Sequence, residues 1–172
     1  MMETSSGKKG VWAKIISFDL GATGSKKVKF YRQLFGFHST RRRGTQTRRV
    51  FTPGILSKIP HLVLGKSVVA VPPEACSQLL DFLSNPQWKP IQVHVVDGLL
   101  SAEQVRRAVE EFFSRPVRLT GGEVPLSQAV RAVSRRDAGD PDRRFVERLL
   151  DQLGRFEWLK EAVRRAKEEL SR

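Results

Sequence analysis

The sequence contains very little cysteine and asparagine, since Cys76 and Asn85 are the single examples of each. One thiol cannot form a disulfide within the chain or a thiolate metal cluster, which argues against a disulfide-stapled secreted scaffold. We therefore expect a reducing, cytoplasmic location. Scarce asparagine with 28% charged residues is typical of a thermophilic source, although GC-rich coding produces the same excess of arginine.

Long apolar runs are also missing, because no segment approaches the roughly 20 apolar residues of a membrane span. Residues 1–10, MMETSSGKKG, are polar and lack the apolar segment of a signal peptide, so we expect a flexible tail there and no membrane partner. The remaining composition, 40% hydrophobic in 172 residues, predicts a folded protein. Either one sizeable domain or a compact domain with an appendage fits this length.

Acidic residues are nearly absent from the first third of the chain. Residues 1–60 carry 13 Lys and Arg against Glu3 and Asp19, whereas residues 61–100 and 101–172 contribute only −1 and +3 to the net charge of +13. This asymmetry predicts a nucleic-acid face, with a membrane surface or an acidic protein as weaker alternatives.

The densest group of positive charge lies between Phe37 and Phe51, FHSTRRRGTQTRRVF, which holds five arginines and no acidic residue. Flanking β-formers and a central Gly44 predict a β-hairpin. Arginine offers a planar fork of donors that matches phosphate oxygens, so we expect phosphate contacts here; a solvated, charged edge strand is the alternative. The predicted nucleic-acid-binding residues, including those of a neighbouring basic helix, are Lys26, Lys27, Lys29, Arg32, Arg41, Arg42, Arg43, Arg48 and Arg49.

Aromatic residues accompany this basic region and favour RNA or single-stranded nucleic acid over a duplex. Single strands are held by stacking bases on aromatic or guanidinium planes, although most such rings will belong to the core. The RNP motifs of an RNA-recognition sheet are absent. The rings are those of Phe30, Tyr31, Phe35, Phe37 and Phe51.

The element order of residues 11–100 predicts an α+β domain of the ferredoxin-like type, βαββαβ, carrying the basic hairpin. Residues 11–20 form a nearly continuous apolar run that predicts a central strand. Ser25 is expected to cap a helix ending at Gly36, and residues 52–61 are expected to be a loop. The remaining predicted elements are a strand at 66–71, a helix at 73–83 and a strand at 91–96.

Residues 101–172 predict a helical extension. Ser101 and Gln104 form a capping box, and Asp140 followed by Pro141 begins another helix, which Gly154 kinks or splits. A shorter helix is predicted at 125–135. The apolar faces predict either a small bundle packed on the sheet or a separate appendage.

Catalytic signals are sparse, so binding is favoured over catalysis and no cofactor is expected. Asp19 ends the first strand and is the weak candidate for a catalytic or metal-binding residue, with Asp97 as a second ligand. A turn-capping or Arg-pairing role for Asp19 is favoured over metal binding. The three histidines lack the spacing of a zinc helix, and Cys76 is expected to be a packing residue.

Residues 11–96 resemble a small, basic, largely archaeal family of uncharacterised ferredoxin-like proteins. Through ISFDL, the helix after it and the LFGF turn into a basic strand, they also distantly resemble the nuclease-like proteins of CRISPR adaptation. The second resemblance implies a homodimer in which two Asp19 side chains meet at a metal, and hence a metal-dependent nuclease. Another alternative is a protein-interaction component of a ribonucleoprotein, whose C-terminal helices bind a protein.

Overall fold

A four-stranded antiparallel sheet organises the first hundred residues in the computed structural model, which describes residues 9–172. The strands are β1 (Val11–Leu20), β2 (Phe37–Arg43), β3 (Gln46–Thr52), β4 (Leu62–Gly65), β5 (Val68–Val71), β6 (Ile91–Leu100), β7 (Pro116–Leu119) and β8 (Gly122–Pro125). The large sheet has the order β4-β5-β1-β6, while β2 pairs with β3 and β7 pairs with β8 in two separate ribbons.

Six α-helices and several short 3-10 helices complete the fold, which is a mixed α/β arrangement compatible with the α+β class. The helices are α1 (Gly24–Phe35), α2 (Cys76–Leu83), α3 (Ala102–Phe113), α4 (Leu126–Ser134), α5 (Pro141–Leu153) and α6 (Lys160–Leu170). None of the helices within residues 9–172 has the length and apolar character needed to cross a membrane.

The strand β1 is central, as its apolar run predicted, with β5 on one side and β6 on the other. Its side chains alternate between the two faces of the sheet. On one face Ile16 and Phe18 are buried with Phe30 of α1 and Leu79 of α2. On the other face Ala13 packs against Val105 and Ala108 of α3, together with Ala70, Leu100 and Trp158. Helices therefore cover one face and part of the other.

The segment after the basic hairpin differs from the prediction. The expected loop at 52–61 contains a 3-10 helix, Ile55–Lys58, and it is followed by β4, a strand that the sequence analysis did not predict. The chain reverses at Lys66 and Ser67, where Ser67 has a φ of 65°, and β5 begins at Val68 rather than at 66. The strand β6 runs to Leu100, four residues beyond the predicted end.

The predicted helix caps are confirmed at two of three positions. Ser101 and Gln104 form the capping box of α3, and the Asp140 side chain accepts a hydrogen bond from the Arg143 amide at the start of α5. The prediction for Ser25 is wrong, because α1 begins at Gly24 and its N-cap residue, Thr23, makes no side-chain capping bond. A Ser25 hydroxyl inside the first turn does not act as a cap, because the amides two and three residues ahead of it already bond within the helix.

The extension contains a β-ribbon as well as helices. β7 and β8 were not predicted, because the ten residues PVRLTGGEVP hold two prolines and two glycines that mask the strand pattern. The long helix is split beyond Gly154, since α5 ends at Leu153 and α6 starts at Lys160. The buried apolar residues of α5 are Val146, Leu150 and Leu153.

The helical extension packs on the sheet, which decides between the two arrangements left open by the sequence. Phe112, Leu126, Leu150 and Phe156 belong to the same buried cluster as Ile16 and the other residues of the large sheet. The indole nitrogen of Trp158 also donates to the carbonyl oxygen of Trp12 at 3.2 Å. Contacts of this kind join residues far apart in the chain into one core.

Candidate nucleic-acid interface

The predicted basic hairpin is present as a two-stranded ribbon of β2 and β3, which we call the arginine arm (residues 37–52). Its strands are connected through Gly44 and Thr45, with Arg43 opposite Gln46. Gly44 has a φ of 62°, and glycine at the first of two turn positions fits a tight hairpin of this length. The local sequence thus explains why the chain turns here.

The root of the arm is closed by two glycines. Gly36 ends α1 with a φ of 82°, and a Cβ atom there would lie 2.6 Å from the Phe51 ring and from the Thr52 carbonyl oxygen. A Cβ atom on Gly54 would lie 2.6 Å from the carbonyl group of Leu34 and would also meet the Gly36 nitrogen. The backbone therefore enters and leaves the arm at one place, in a contact that only glycine permits.

The five arginines of the arm are exposed and are divided between its two faces. Residues directly opposite each other in an antiparallel ribbon share a face. The register puts Arg41 opposite Arg48, with Arg43 further along the same face. Arg42, opposite Thr47, and Arg49, opposite Thr40, occupy the other face. A ligand on either face of the arm meets guanidinium groups.

No carboxylate of residues 9–172 forms an ion pair with an arm arginine. The arginines of the C-terminal helices are different, because Arg106, Arg143 and Arg164 pair with glutamates one turn away. Like charges directly opposite in a ribbon destabilise it, and Arg41 and Arg48 are such a pair. The arm therefore presents positive charge that the described part of the protein does not neutralise.

The basic residues of α1 differ in their contacts. Lys26 donates to the carbonyl oxygen of Lys89, and the Arg32 guanidinium lies 4.9 Å from the centre of the Phe37 ring at the root of the arm. Lys27 and Lys29 are exposed but project on nearly opposite sides of the helix, since residues two apart differ by about 200°. Arg32 contacts the root of the arm, and Lys29, one turn earlier, lies on the same side of the helix.

The aromatic residues expected near the arginines are mostly engaged in packing. Phe30 is fully buried, and Tyr31 stacks on Phe35 with ring centres 6.3 Å apart. Phe51 contacts the His38 ring at 5.0 Å, and Arg32 covers Phe37. Phe35 is the most exposed of the five rings.

Polar side chains of the arm were overlooked in the sequence analysis. Thr40, Gln46 and Thr47 are exposed between the arginines and can donate to phosphate oxygens. Thr40 and Thr47 lie directly opposite arginines in the register. Their position between two arginine groups in a predicted hairpin was the sequence feature that indicated a role in binding.

The weak metal-site candidate Asp19 lies apart from its predicted partner. Asp19 is exposed and pairs in register with Gln92, whereas Asp97 is five residues further along β6 and on the opposite face of the sheet. The carboxylate of Asp97 forms an ion pair with Lys14 at 2.5 Å. Across the described residues, no group of three or more His, Cys, Asp or Glu side chains is placed to hold a metal ion.

His61 and Arg115 form a buried polar contact below the root of the arm. One Nη atom of Arg115 lies 3.1 Å from Nδ1 of His61, and the other donates to the carbonyl oxygens of Leu56, Ser57 and Ile59 at 2.8, 2.8 and 3.2 Å. Burial lowers the pKa of His61 below its ordinary value of 6.5, and the Arg115 charge lowers it further. The contact is structural, because all of these groups are satisfied within the fold.

Stability is expected to fall as the pH is lowered from about 7.5 to about 5.5. The unfolded chain takes up a proton on His61 near pH 6.5, while the folded chain with its lowered pKa does not, so acid favours unfolding. Urea unfolding at a series of pH values measures this slope. His61→Gln should flatten it, whereas His94→Gln, at an exposed position, should not. An unchanged slope in His61→Gln would contradict the assignment.

With this geometry described, the chain was compared with known proteins. It matches no family model, no curated protein and no solved structure.

Proposed function

We propose that the protein binds nucleic acid, with the arginine arm contacting the phosphate backbone. The observation that carries this proposal is the set of five exposed arginines on both faces of one ribbon, none paired with a carboxylate among the described residues. Guanidinium groups bind phosphate oxygens through two parallel hydrogen bonds. A polyanion would also relieve the repulsion between Arg41 and Arg48.

RNA or single-stranded nucleic acid remains the favoured ligand, but the arginines now support this preference in place of the aromatic rings. The aromatic rings that suggested stacking are packed, apart from Phe35. Guanidinium planes stack on unpaired bases as aromatic rings do, and the arm displays five of them. In this proposal the arginines contact both the phosphates and the unpaired bases of the ligand.

The ferredoxin-like assignment is also a proposal. It is supported by the chain order β1–α1–β4–β5–α2–β6 and by the sheet order β4-β5-β1-β6, with α1 and α2 on one face. The arginine arm then stands as an insertion between α1 and β4. We also propose that the protein resembles small basic archaeal proteins of this fold and that it is cytoplasmic.

The proposal is tested by the salt dependence of binding to a labelled single-stranded RNA and to matched duplexes. We expect affinity to fall steeply between about 50 and about 300 mM salt, with a log-log slope of about −0.7 for each phosphate of a single strand that is neutralised. Single-stranded RNA should bind at least as tightly as the duplexes. Fluorescence anisotropy titrations give the slope directly.

Two outcomes would contradict the proposal. One is binding that does not change with salt, since phosphate contacts release counterions. The other is recovery from native cells of a stoichiometric protein partner that survives nuclease treatment, without any associated nucleic acid. That result would favour the protein-interaction alternative.

A further inference from the structure

The outer edge of β6 has backbone groups whose direction can be derived from two hydrogen bonds. The Gly21 amide donates to the Pro90 carbonyl oxygen at 2.9 Å, and the Phe18 amide donates to the Ser67 carbonyl oxygen at 3.0 Å. Hydrogen-bonded pairs alternate along an antiparallel ladder. Odd-numbered residues of β1 therefore bond to β6, and even-numbered residues bond to β5.

The register between β1 and β6 extends this result to β6 itself. Ser17 lies opposite His94 and Ile15 lies opposite Val96, so even-numbered residues of β6 bond to β1. The odd-numbered residues direct their N–H and C=O groups away from the sheet, to an edge that no other strand of residues 9–172 borders. These residues are Ile91, Val93, Val95, Asp97 and Leu99.

This edge has few of the features by which proteins prevent strand pairing. Within β6 there is no lysine, arginine or proline, although the chain has 31 lysines and arginines, and Asp97 is its one acidic residue. Three of the nine large apolar side chains that are exposed among the described residues belong to β6, namely Val95 (38% exposed), Val96 (57%) and Leu99 (58%). A fourth, Trp12 (61%), lies on β1 directly opposite Leu99.

The opposite edge of the same sheet is protected. The strand β4 has only four residues, and its register with β5 shifts between Val63 and Gly65. A short, irregular edge is a poor template for another strand. Pairing of β6 with β4 of a neighbour would also continue without closure into a filament, whereas pairing of β6 with itself closes after two chains.

We propose that two copies of the chain pair through β6, antiparallel and about a two-fold axis at Val95, to form one continuous eight-stranded sheet. In each copy the free groups belong to odd-numbered residues, so odd-numbered residues must face one another. An axis at Val95 places Ile91 opposite Leu99, Val93 opposite Asp97, and Val95 opposite itself.

This register gives hydrogen-bond partners to the free N–H and C=O groups of β6 in both chains. It forms five hydrogen-bonded pairs that exchange about ten bonds. The Asp97 carboxylate brings no unbalanced charge, because Lys14 pairs with it at 2.5 Å. A second copy fits this edge better than nucleic acid does, since β6 offers no cationic side chain to a phosphate.

The mass of nuclease-treated protein tests the proposal at about 0.15 M salt, where the screening length of about 8 Å leaves repulsion between charges that meet at the axis largely intact. We expect about twice the chain mass of 19.5 kDa by light scattering. Val95→Lys should give a monomer, because two ammonium groups would meet across the axis. Val63→Lys on the protected edge, where the side chain is 54% exposed, should remain a dimer. A monomeric wild-type protein at every concentration, or an unaffected Val95→Lys dimer, would overturn the proposal.

A cysteine at the axis provides a second readout that does not require a destabilising change. In a Cys76→Ser background, Val95→Cys should form a disulfide-linked dimer under mild oxidation, because paired Cα atoms lie about 5.5 Å apart. Val63→Cys should not. Equal cross-linking at both positions would mean random collision and would refute the interface. Because nucleic acid is absent from these measurements, they stand apart from the test of nucleic-acid binding.

Discussion

Replacing all five arginines of the arm with glutamine is expected to weaken nucleic-acid binding by about 3.5 to 4.5 orders of magnitude at about 0.1 M salt. Each lost phosphate contact removes about 0.7 to 0.9 from the log-log salt slope, and each unit of slope corresponds to about tenfold in affinity between 1 M and 0.1 M salt. The slope should become flatter by about 3.5 to 4.5. Anisotropy titrations at several salt concentrations measure both quantities.

A control with the same loss of charge separates the arm from the general basicity of the protein. Exposed arginines of the helical extension provide it, and the five to replace with glutamine are Arg106, Arg131, Arg148, Arg164 and Arg165. Four of these pair with glutamates in surface ion pairs, which stabilise proteins only slightly. We expect this variant to bind nearly as well as the wild type. Equal loss of affinity in both variants would contradict a specific role for the arm.

Arg115→Ala is expected to lower the free energy of unfolding by about 2 to 4 kcal/mol, because it leaves three inward carbonyl groups without their charged donor. The substitution also removes the guanidinium that lies 4.8 Å from the centre of the Phe112 ring. For a chain of this size the melting temperature should fall by about 5 to 15 °C. Urea and thermal unfolding measure the two values.

Arg118→Ala is the matched control for this prediction, since Arg118 lies three residues away on an exposed position of β7. Its effect should stay within about 0.5 kcal/mol. Arg115→Lys should recover only part of the lost stability, because one ammonium group cannot contact both the carbonyl oxygens of residues 56–59 and the His61 ring as the two Nη atoms do. Equal stability of the two alanine variants would show that the buried contact contributes nothing.

Elements with strong local patterns were predictable from the sequence. The central strand, the arm and the two confirmed caps each depend on residues within one segment, so composition and spacing were sufficient to find them. The strand β4 was missed because LVLG is short and follows a segment rich in proline and glycine. The role of Arg115 was not predictable either, since it contacts carbonyl groups more than 50 positions earlier in the chain.

The residues of the candidate site were predictable from the sequence, but their arrangement in space was not. Five arginines in one hairpin were evident, but their division between two faces depends on the observed register. The three lysines of α1 do not share one face, because helical rotation separates Lys27 from Lys29. The aromatic rings near the arm were drawn into packing, where burial of apolar area outweighs exposure to a ligand.

The contact between Gly36 and Gly54 gives the arm a property of its own. The chain leaves and rejoins the domain at one point. The segment between these glycines can therefore change length without repacking the sheet. Each added pair of opposite residues would extend its reach by about 3.4 Å. Adding two pairs preserves which face carries each arginine, whereas adding one pair near the root exchanges the faces. The arm's reach is thus adjustable in evolution independently of the stability of the core.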